Sequence, residues 1–125
     1  MANVLVVDGD LLVLSMVTDV LENAEHTVRK ASSWIEAIRL LRSPERFDLL
    51  IADVELNDAA GVKLIQQARS QQPGLQVMAI SGLDGAESTP LRQSLRRLGV
   101  AQLLRKPLRT QVLEHAISSV LGEKR

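Results

Sequence analysis

The sequence predicts an α/β fold in which a doubly wound, five-stranded parallel sheet has the strand order 2-1-3-4-5 and carries helices on both faces. Short, continuously apolar runs at residues 4–7, 49–52 and 77–80 are typical of strands buried on both faces of a parallel sheet. Amphipathic segments of helical period alternate with the strands, and right-handed crossovers place them on both faces. The second strand, 26–31, alternates polar and apolar residues as an edge strand does, which favours this strand order.

Residues at the predicted helix ends support these assignments. Asp10 is placed to cap the first helix, and Ser33 with Glu36 forms a capping box at the start of the second. The third helix begins at a loop through Gly61, and Gly99 closes the fourth before the fifth strand, 100–104. The apolar residues at helical spacing, predicted to face the sheet, are Leu11, Leu14, Val17 and Leu21; Ile35, Ile38 and Leu41; Val62, Leu64, Ile65 and Ala68; Leu91, Leu95 and Leu98; and Val112, Leu113, Ala116, Ile117 and Val120.

Length and composition predict a single domain over residues 1–125. Apolar residues make up 46% of the 125 residues and aromatic residues only 2%, so the core is expected to be aliphatic, with Trp34 partly buried. The absence of cysteine excludes a disulfide framework, a thiolate nucleophile and a zinc-thiolate site. His26 and His115 match no metal-ligand spacing and are expected to be ordinary strand or helix-surface residues. No membrane-spanning or targeting segment is evident, so a cytoplasmic protein without a membrane partner is expected.

The charge is balanced overall but divided along the chain. Residues 1–90 include 13 acids and 7 bases, whereas residues 91–125 include 2 acids and 8 bases. Such a basic segment indicates either an acidic partner or a solvated helix face. The lack of interleaved aromatic residues argues against direct binding of nucleic acid. The bases that cluster without an intervening acid are Arg92, Arg96, Arg97, Arg105, Lys106 and Arg109.

Polar residues follow the apolar strands at the point where each strand ends. Asp8 follows the first strand, Asp53 the third and Ser81 the fourth, while Lys106 comes two residues after the fifth. In an open parallel sheet, ligands bind beyond the carboxyl ends of the strands, at the point where the strand order reverses. Asp8 and Asp53 are therefore expected to be neighbours there. Two acids, a hydroxyl and a lysine at one edge predict a pocket for phosphate and a metal ion.

These motifs resemble those of the CheY-like receiver domains of bacterial response regulators, the phospho-acceptor half of two-component signalling. The resemblance covers the whole chain and rests on Asp8, on Asp53 followed eight residues later by Gly61, on Ser81, and on Lys106 before a proline. Each motif alone is weak, but the four occur in the correct order on the right elements. The resemblance implies a flavodoxin-like fold.

The resemblance also implies roles for individual residues. Asp53 would accept a phosphoryl group from a histidine kinase or phosphotransfer protein, so the chain would not be an enzyme beyond its own phosphorylation. Asp8, Asp53 and the backbone carbonyl of Glu55 would hold Mg²⁺, while Ser81 and Lys106 would contact the phosphoryl oxygens. The face of the fourth helix, fifth strand and fifth helix would meet an unknown downstream protein or form a homodimer. The basic residues expected there are Arg92, Arg96, Arg97 and Arg105.

The chain also departs from the receiver pattern. Gly9 stands where receivers usually carry a second acid that binds Mg²⁺, so weak metal binding is expected. Asp10 could replace that ligand, although capping the first helix is the favoured role, and the Glu55 side chain could contribute. Asn57 replaces a usual proline. Leu103 occupies the position of the aromatic switch residue and cannot make the hydrogen bond of a switch tyrosine.

Two alternatives therefore stay open beside a working phospho-receiver. One is a pseudo-receiver, a docking module that keeps the fold and the basic face but is not phosphorylated. The other is a phosphatase of the haloacid-dehalogenase type, because Asp8 and Asp10 also match its DxD motif. That motif normally has Thr or Val where this chain has Leu12, and the chain leaves no room for a cap domain.

Overall fold

The computed structural model describes residues 1–54, 60–82 and 89–122 and contains five βα units in strict alternation. The strands are β1 (Asn3–Val7), β2 (Thr27–Ala31), β3 (Leu49–Asp53), β4 (Gln76–Ser81) and β5 (Val100–Arg105). The helices are α1 (Leu11–Asn23), α2 (Trp34–Arg42), α3 (Ala60–Gln71), α4 (Thr89–Arg97) and α5 (Thr110–Leu121). Within the described ranges, no helix is both long and apolar enough to cross a membrane.

The five strands form one parallel sheet in the order β2-β1-β3-β4-β5, which confirms the predicted fold class and strand order. β1 pairs with both β2 and β3, so the chain reverses its direction of strand addition at this point. The register pairs Val7 with Ala52, which places the residues that follow them at the same level of the sheet. The strand order thus brings Asp8 and Asp53 to one crevice.

Two aliphatic layers cover the sheet, one on each face. The side chains of β1 divide between them: Leu5 and Val7 face the layer that includes α2 and α3, whereas Val4 and Val6 face α1 and α5. β3 is buried along its full length, as its apolar sequence predicts. This burial on both faces fixes where each strand ends at the carboxyl edge of the sheet. It therefore also fixes the positions of the polar residues that follow the strands.

The start of α3 lies close to the end of β3, and Gln72, which follows α3, is bonded to α2 and to the segment between α2 and β3. A Cβ on Gly61 would overlap the backbone of Val54, so only glycine allows α3 to start this close to the end of β3. At the other end of α3, the buried Gln72 accepts a hydrogen bond from Phe47 N (2.8 Å) and donates to the carbonyls of Leu41 (3.2 Å) and Glu45 (3.0 Å). The helix is therefore anchored at both ends.

Three sequence predictions of burial are wrong. Leu11 lies in the first turn of α1 and is 70% exposed, because the helix first meets the sheet at Leu14. Ile35 is 69% exposed, since the buried residue Ala37 lies two positions, about 200°, around α2 from it. Val112 is half exposed beside the buried Leu113.

His26, which the sequence assigned to the second strand without indicating its burial, is buried. It lies just before β2, and its Nδ1 accepts a hydrogen bond from the backbone N–H of Ala2 at 2.9 Å. His26 thereby supports the start of β1. His115 is exposed on α5, as expected.

Candidate functional site

The candidate site lies at the carboxyl edge of the sheet, between β1, β3 and β5. Asp8 is the first residue after β1 and Asp53 is the last residue of β3. Both are buried, with Asp8 only 1% and Asp53 only 9% exposed. The backbone N–H of Asp8 donates to Ala31 O at 3.1 Å and that of Val54 to Ile80 O at 2.9 Å, so neighbouring strands fix the backbone on both sides of the site.

Lys106 links the two carboxylates. Its Nζ lies 3.2 Å from Asp53 Oδ2, 3.3 Å from Asp8 Oδ1 and 3.1 Å from Asp8 Oδ2. Its backbone N–H donates to Ser81 O at 2.8 Å, which ties the segment after β5 to the end of β4, and the following peptide bond to Pro107 is cis. The Lys106 ammonium thus lies between two buried acids, whereas the sequence had indicated only that all three residues reach the same edge.

The charges at this edge perturb each other's ionisation. Burial raises the pKa of Asp8, and the charge of Asp53 adds to this effect, although hydrogen bonds from the Asp10 N–H and from Lys106 oppose it. Burial alone would lower the pKa of Lys106, but its hydrogen bonds and ion pairs with Asp8 and Asp53 outweigh burial and raise that pKa. Lys106 is therefore charged at neutral pH.

Ser81 is the last residue of β4 and is fully buried. The register pairs Asp53 with Ile80, so Ser81 lies one residue beyond the level of Asp53, on the neighbouring strand. Its position at the edge agrees with the sequence prediction, whereas its complete burial was not foreseen. The exposed Gly82 follows directly.

Asp8, Gly9 and Asp10 connect β1 to α1, and their hydrogen bonds show the role of each acid. The backbone N–H of Asp10 donates to Asp8 Oδ1 at 2.8 Å. The Asp10 carboxylate accepts hydrogen bonds from Leu12 N (2.9 Å) and Val13 N (3.4 Å), so it caps α1 as predicted. The carboxylate that a phosphatase would use as its acid and base is therefore engaged with the helix. Gly9 is exposed between the two acids.

The donor set at this edge fits a hard divalent cation such as Mg²⁺. Asp8 Oδ2 is buried and accepts no hydrogen bond from the described residues, although the Lys106 ammonium lies nearby. Carboxylate oxygens are the ligands that Mg²⁺ prefers, and it retains several waters when few are available. Within the described ranges, no three acidic or histidine residues cluster as a metal site. Glu55 and Asn57 lie outside the described residues.

The residues predicted for the output face are exposed. Arg92, Arg96 and Arg97 lie on the outer side of α4, and Arg105 ends β5. Leu103 is half-buried and packs against the core layer that includes α2 and α3. A groove of about 250 Å³ runs between α4 and β5 and is lined by Arg92, Arg96 and Leu103 among others.

Comparison with known proteins identifies the family to which the chain belongs. The family model of the response regulator receiver domain matches residues 4–118. The chain belongs to the response regulator receiver family. It is thus a receiver domain of two-component signalling. Members of this family interact with histidine kinases or phosphotransfer proteins and typically bind Mg²⁺ at an acidic pocket. They are generally not catalytic enzymes.

Curated relatives and solved structures agree with this assignment. The chain is 29% identical over 122 residues to the transcriptional regulatory protein GlrR of Escherichia coli, covering 98% of this chain and 27% of that protein. It is 30% identical to the two-component response regulator ORR22 of Oryza sativa, covering 97% of this chain and 17% of that protein. The receiver therefore spans about a quarter or less of these relatives.

Among solved structures, the chemotaxis response regulator CheY4 of Vibrio cholerae superposes with a TM-score of 0.84 at 26% identity, covering 96% of this chain and 98% of that one. A CheY-like receiver domain of Methanospirillum hungatei gives a TM-score of 0.87 at 24% identity, covering 98% and 94%. The latter similarity concerns the fold alone.

Proposed function

We propose that this chain is a single phospho-acceptor receiver domain, in which Asp53 takes a phosphoryl group from a phosphohistidine of a kinase or phosphotransfer protein. One observation carries the proposal: the Lys106 ammonium lies within 3.3 Å of both Asp53 and Asp8 at the carboxyl edge of the sheet. Phosphoryl transfer depends on positioning and on charge stabilisation, and this arrangement offers both.

In the proposed step, a carboxylate oxygen of Asp53 forms a bond to phosphorus while the bond from phosphorus to the donor histidine nitrogen breaks. The proton needed by the departing imidazole comes from solvent or from the donor protein. Lys106 then transfers its contact with Asp53 to a phosphoryl oxygen and keeps its ion pair with Asp8. Ser81 contacts another phosphoryl oxygen after the end of β4 adjusts to expose its hydroxyl.

Asp8 and Asp53 are the described residues proposed to hold Mg²⁺, with the carbonyl of Glu55 as a further ligand. Bound Mg²⁺ would neutralise charge on the phosphoryl oxygens. Gly9 supplies no side-chain ligand, and Asp10 is engaged as the cap of α1. Metal binding is therefore proposed to be weak.

A pseudo-receiver is the second candidate, and two observations favour it. The second acid of the pocket is absent at Gly9, and the Ser81 side chain is fully buried. A pseudo-receiver would signal through its surfaces in a manner independent of phosphate.

For output, we propose the face formed by α4, β5 and α5 as the surface that meets a downstream protein or a second copy of the domain. Four exposed arginines, Arg92, Arg96, Arg97 and Arg105, support an acidic partner there. Leu103 is proposed to replace the switch residue with an apolar contact.

Incubation with acetyl phosphate and Mg²⁺, followed by intact mass measurement, tests the proposed function. Wild type is expected to gain one phosphoryl group, and Asp53→Asn to gain none. Asp19→Asn is a matched control, because Asp19 is an exposed acid on α1 without a site contact, and it should be modified like wild type. Failure of wild type to gain mass would reject phosphorylation and leave the pseudo-receiver.

A further inference from the structure

A second surface, outside the acidic pocket, forms an open groove alongside α2. The groove has a volume of about 530 Å³. Its floor is largely apolar and includes Trp34 and Ile38, both half-buried, while the rim includes Ile35, Arg39 and Arg42. Gln67 of α3 lies on the opposite side. None of these residues takes part in the proposed phosphoryl transfer.

The exposed apolar surface at this groove follows from the orientation of α2. Ala37 and Leu41, one turn apart, face the core and fix the helix. Trp34 and Ile38 then lie at its flank, and Ile35 projects outward with 69% of its surface exposed. Large apolar side chains grouped at a surface indicate an interaction site, whereas single exposed ones do not.

The charged side chains at the rim of the groove, Arg39 and Arg42, are both positive. Arg39 and Arg42 are exposed and lie one turn apart, and the charge of Arg39 contributes only as the smallest cause to the lowered pKa of Glu36. Glu36, one turn before Arg39, has its carboxylate bound by Ser32 through N (2.7 Å) and Oγ (3.1 Å). No acidic side chain from the described ranges lines the groove.

We propose that this groove binds an acidic amphipathic helix of a partner protein. The partner's apolar stripe would cover Trp34, Ile35 and Ile38, and carboxylates one turn apart on its flank would pair with Arg39 and Arg42. The shape of the groove favours a helix over a small molecule. Sites for small molecules enclose most of their ligand, whereas this groove is open to solvent along α2. A second copy docked through the same groove would bring like-charged arginines together, which disfavours self-association.

This inference is independent of the proposed phosphorylation, since it rests on residues outside the acidic pocket. Trp34 is the only tryptophan in the chain, so its fluorescence and its single indole N–H resonance report directly on the groove. The indole Nε1 is buried and donates no hydrogen bond to a described residue, so it is the ring, which lines the groove, that a bound peptide would contact.

The test is a titration of the full chain with a synthetic amphipathic peptide of about 15 residues that has leucines on one face and glutamates beside them. The control peptide has lysine at every glutamate position. The acidic peptide is expected to shift the Trp34 indole signal saturably and to bind at least about tenfold more tightly than the basic peptide, with an affinity that falls as salt rises.

Two variants locate the site. Ile35→Glu and the double variant Arg39→Glu with Arg42→Glu change exposed side chains only, so both proteins should fold. Each variant is expected to bind the acidic peptide about tenfold or more less tightly than wild type does. Leu12→Glu is the matched control, because Leu12 is 82% exposed on α1 and distant in sequence from the groove. It should bind like wild type.

The proposal would be overturned by no binding of the acidic peptide, by equal binding of both peptides, or by binding that the groove variants leave unchanged. Broadening of the Trp34 resonance with protein concentration, without peptide, would identify a second copy as the occupant and would likewise reject the partner helix.

Discussion

Lys106 is the residue on which the acidic pocket depends. Two buried carboxylates so close to one another repel, and each loses hydration, so the ammonium between them compensates both costs. The compensation is incomplete at Asp8, where burial still raises the pKa. The ionised form of Asp8 therefore lowers the stability of the folded protein.

Replacing Asp8 by asparagine is expected to stabilise the metal-free protein at neutral pH. Because the pKa of folded Asp8 lies above 3.8, the folded state binds its proton more tightly than the unfolded state, and stability falls as pH rises from 3.8 through the raised value. Asp8→Asn removes this loss of stability, because asparagine does not ionise. The oxygen of the introduced amide can still accept the hydrogen bond from the Asp10 N–H. Urea denaturation across acid to neutral pH should show a gain that is largest at neutral pH and shrinks towards acid pH. A wild type more stable than the variant at neutral pH would contradict this account.

Restoring the missing acid is expected to strengthen metal binding. Gly9→Asp adds a carboxylate beside Asp8, which raises both the number of oxygen ligands and the local negative charge, and should tighten Mg²⁺ binding by about tenfold. Calorimetric titration of wild type and variant gives the comparison. Equal affinities would mean that Asp10 or Glu55 already provides that ligand.

At the scale of elements, the approach of α3 to β3 depends on the absence of a side chain at one position. Gly61→Ala is expected to destabilise the protein by about 1–3 kcal/mol, because its Cβ would overlap the Val54 backbone, which cannot move aside cheaply. Gly74→Ala is the control: a Cβ there meets nothing within 4 Å, so its effect should stay within about 0.5 kcal/mol or be slightly stabilising. Chemical denaturation of both variants measures the difference, and equal effects would refute the argument from close packing.

The exposed arginines of α4 carry the prediction about output. If the α4, β5 and α5 face binds an acidic downstream protein, reversing Arg96 and Arg97 to Glu should slow association more than it speeds dissociation, with a defect that shrinks at high salt. Surface plasmon resonance at two ionic strengths would resolve the two rates. Binding indifferent to both the reversal and salt would place that interface elsewhere.

At the scale of the whole molecule, the strand order was predictable because β2 alternates polar and apolar residues while β1, β3 and β4 are continuously apolar. The position of the site followed from that order, since parallel strands deliver their following residues to one edge. The burial of His26 and Ser81 and the exposure of Ile35 were not predictable from the sequence. They depend on how each helix rotates and where each strand end lies within the packed layers, which local periodicity does not determine.

The sequence also could not indicate the distances at the pocket. It placed a lysine after β5, but only the packed loop brings Nζ within 3.3 Å of both acids. Similarly, Asp10 was open to two roles until its hydrogen bonds to α1 were seen.

The most direct measurement of the central claim is the position of the phosphoryl group itself. After incubation with acetyl phosphate and Mg²⁺, hydride reduction converts a phosphorylated aspartate to homoserine, which peptide mass spectrometry can locate. The account predicts homoserine at position 53, dependent on Mg²⁺ and absent from Lys106→Ala under matched conditions or greatly reduced there. Reduction at any other aspartate, or at none, would contradict it.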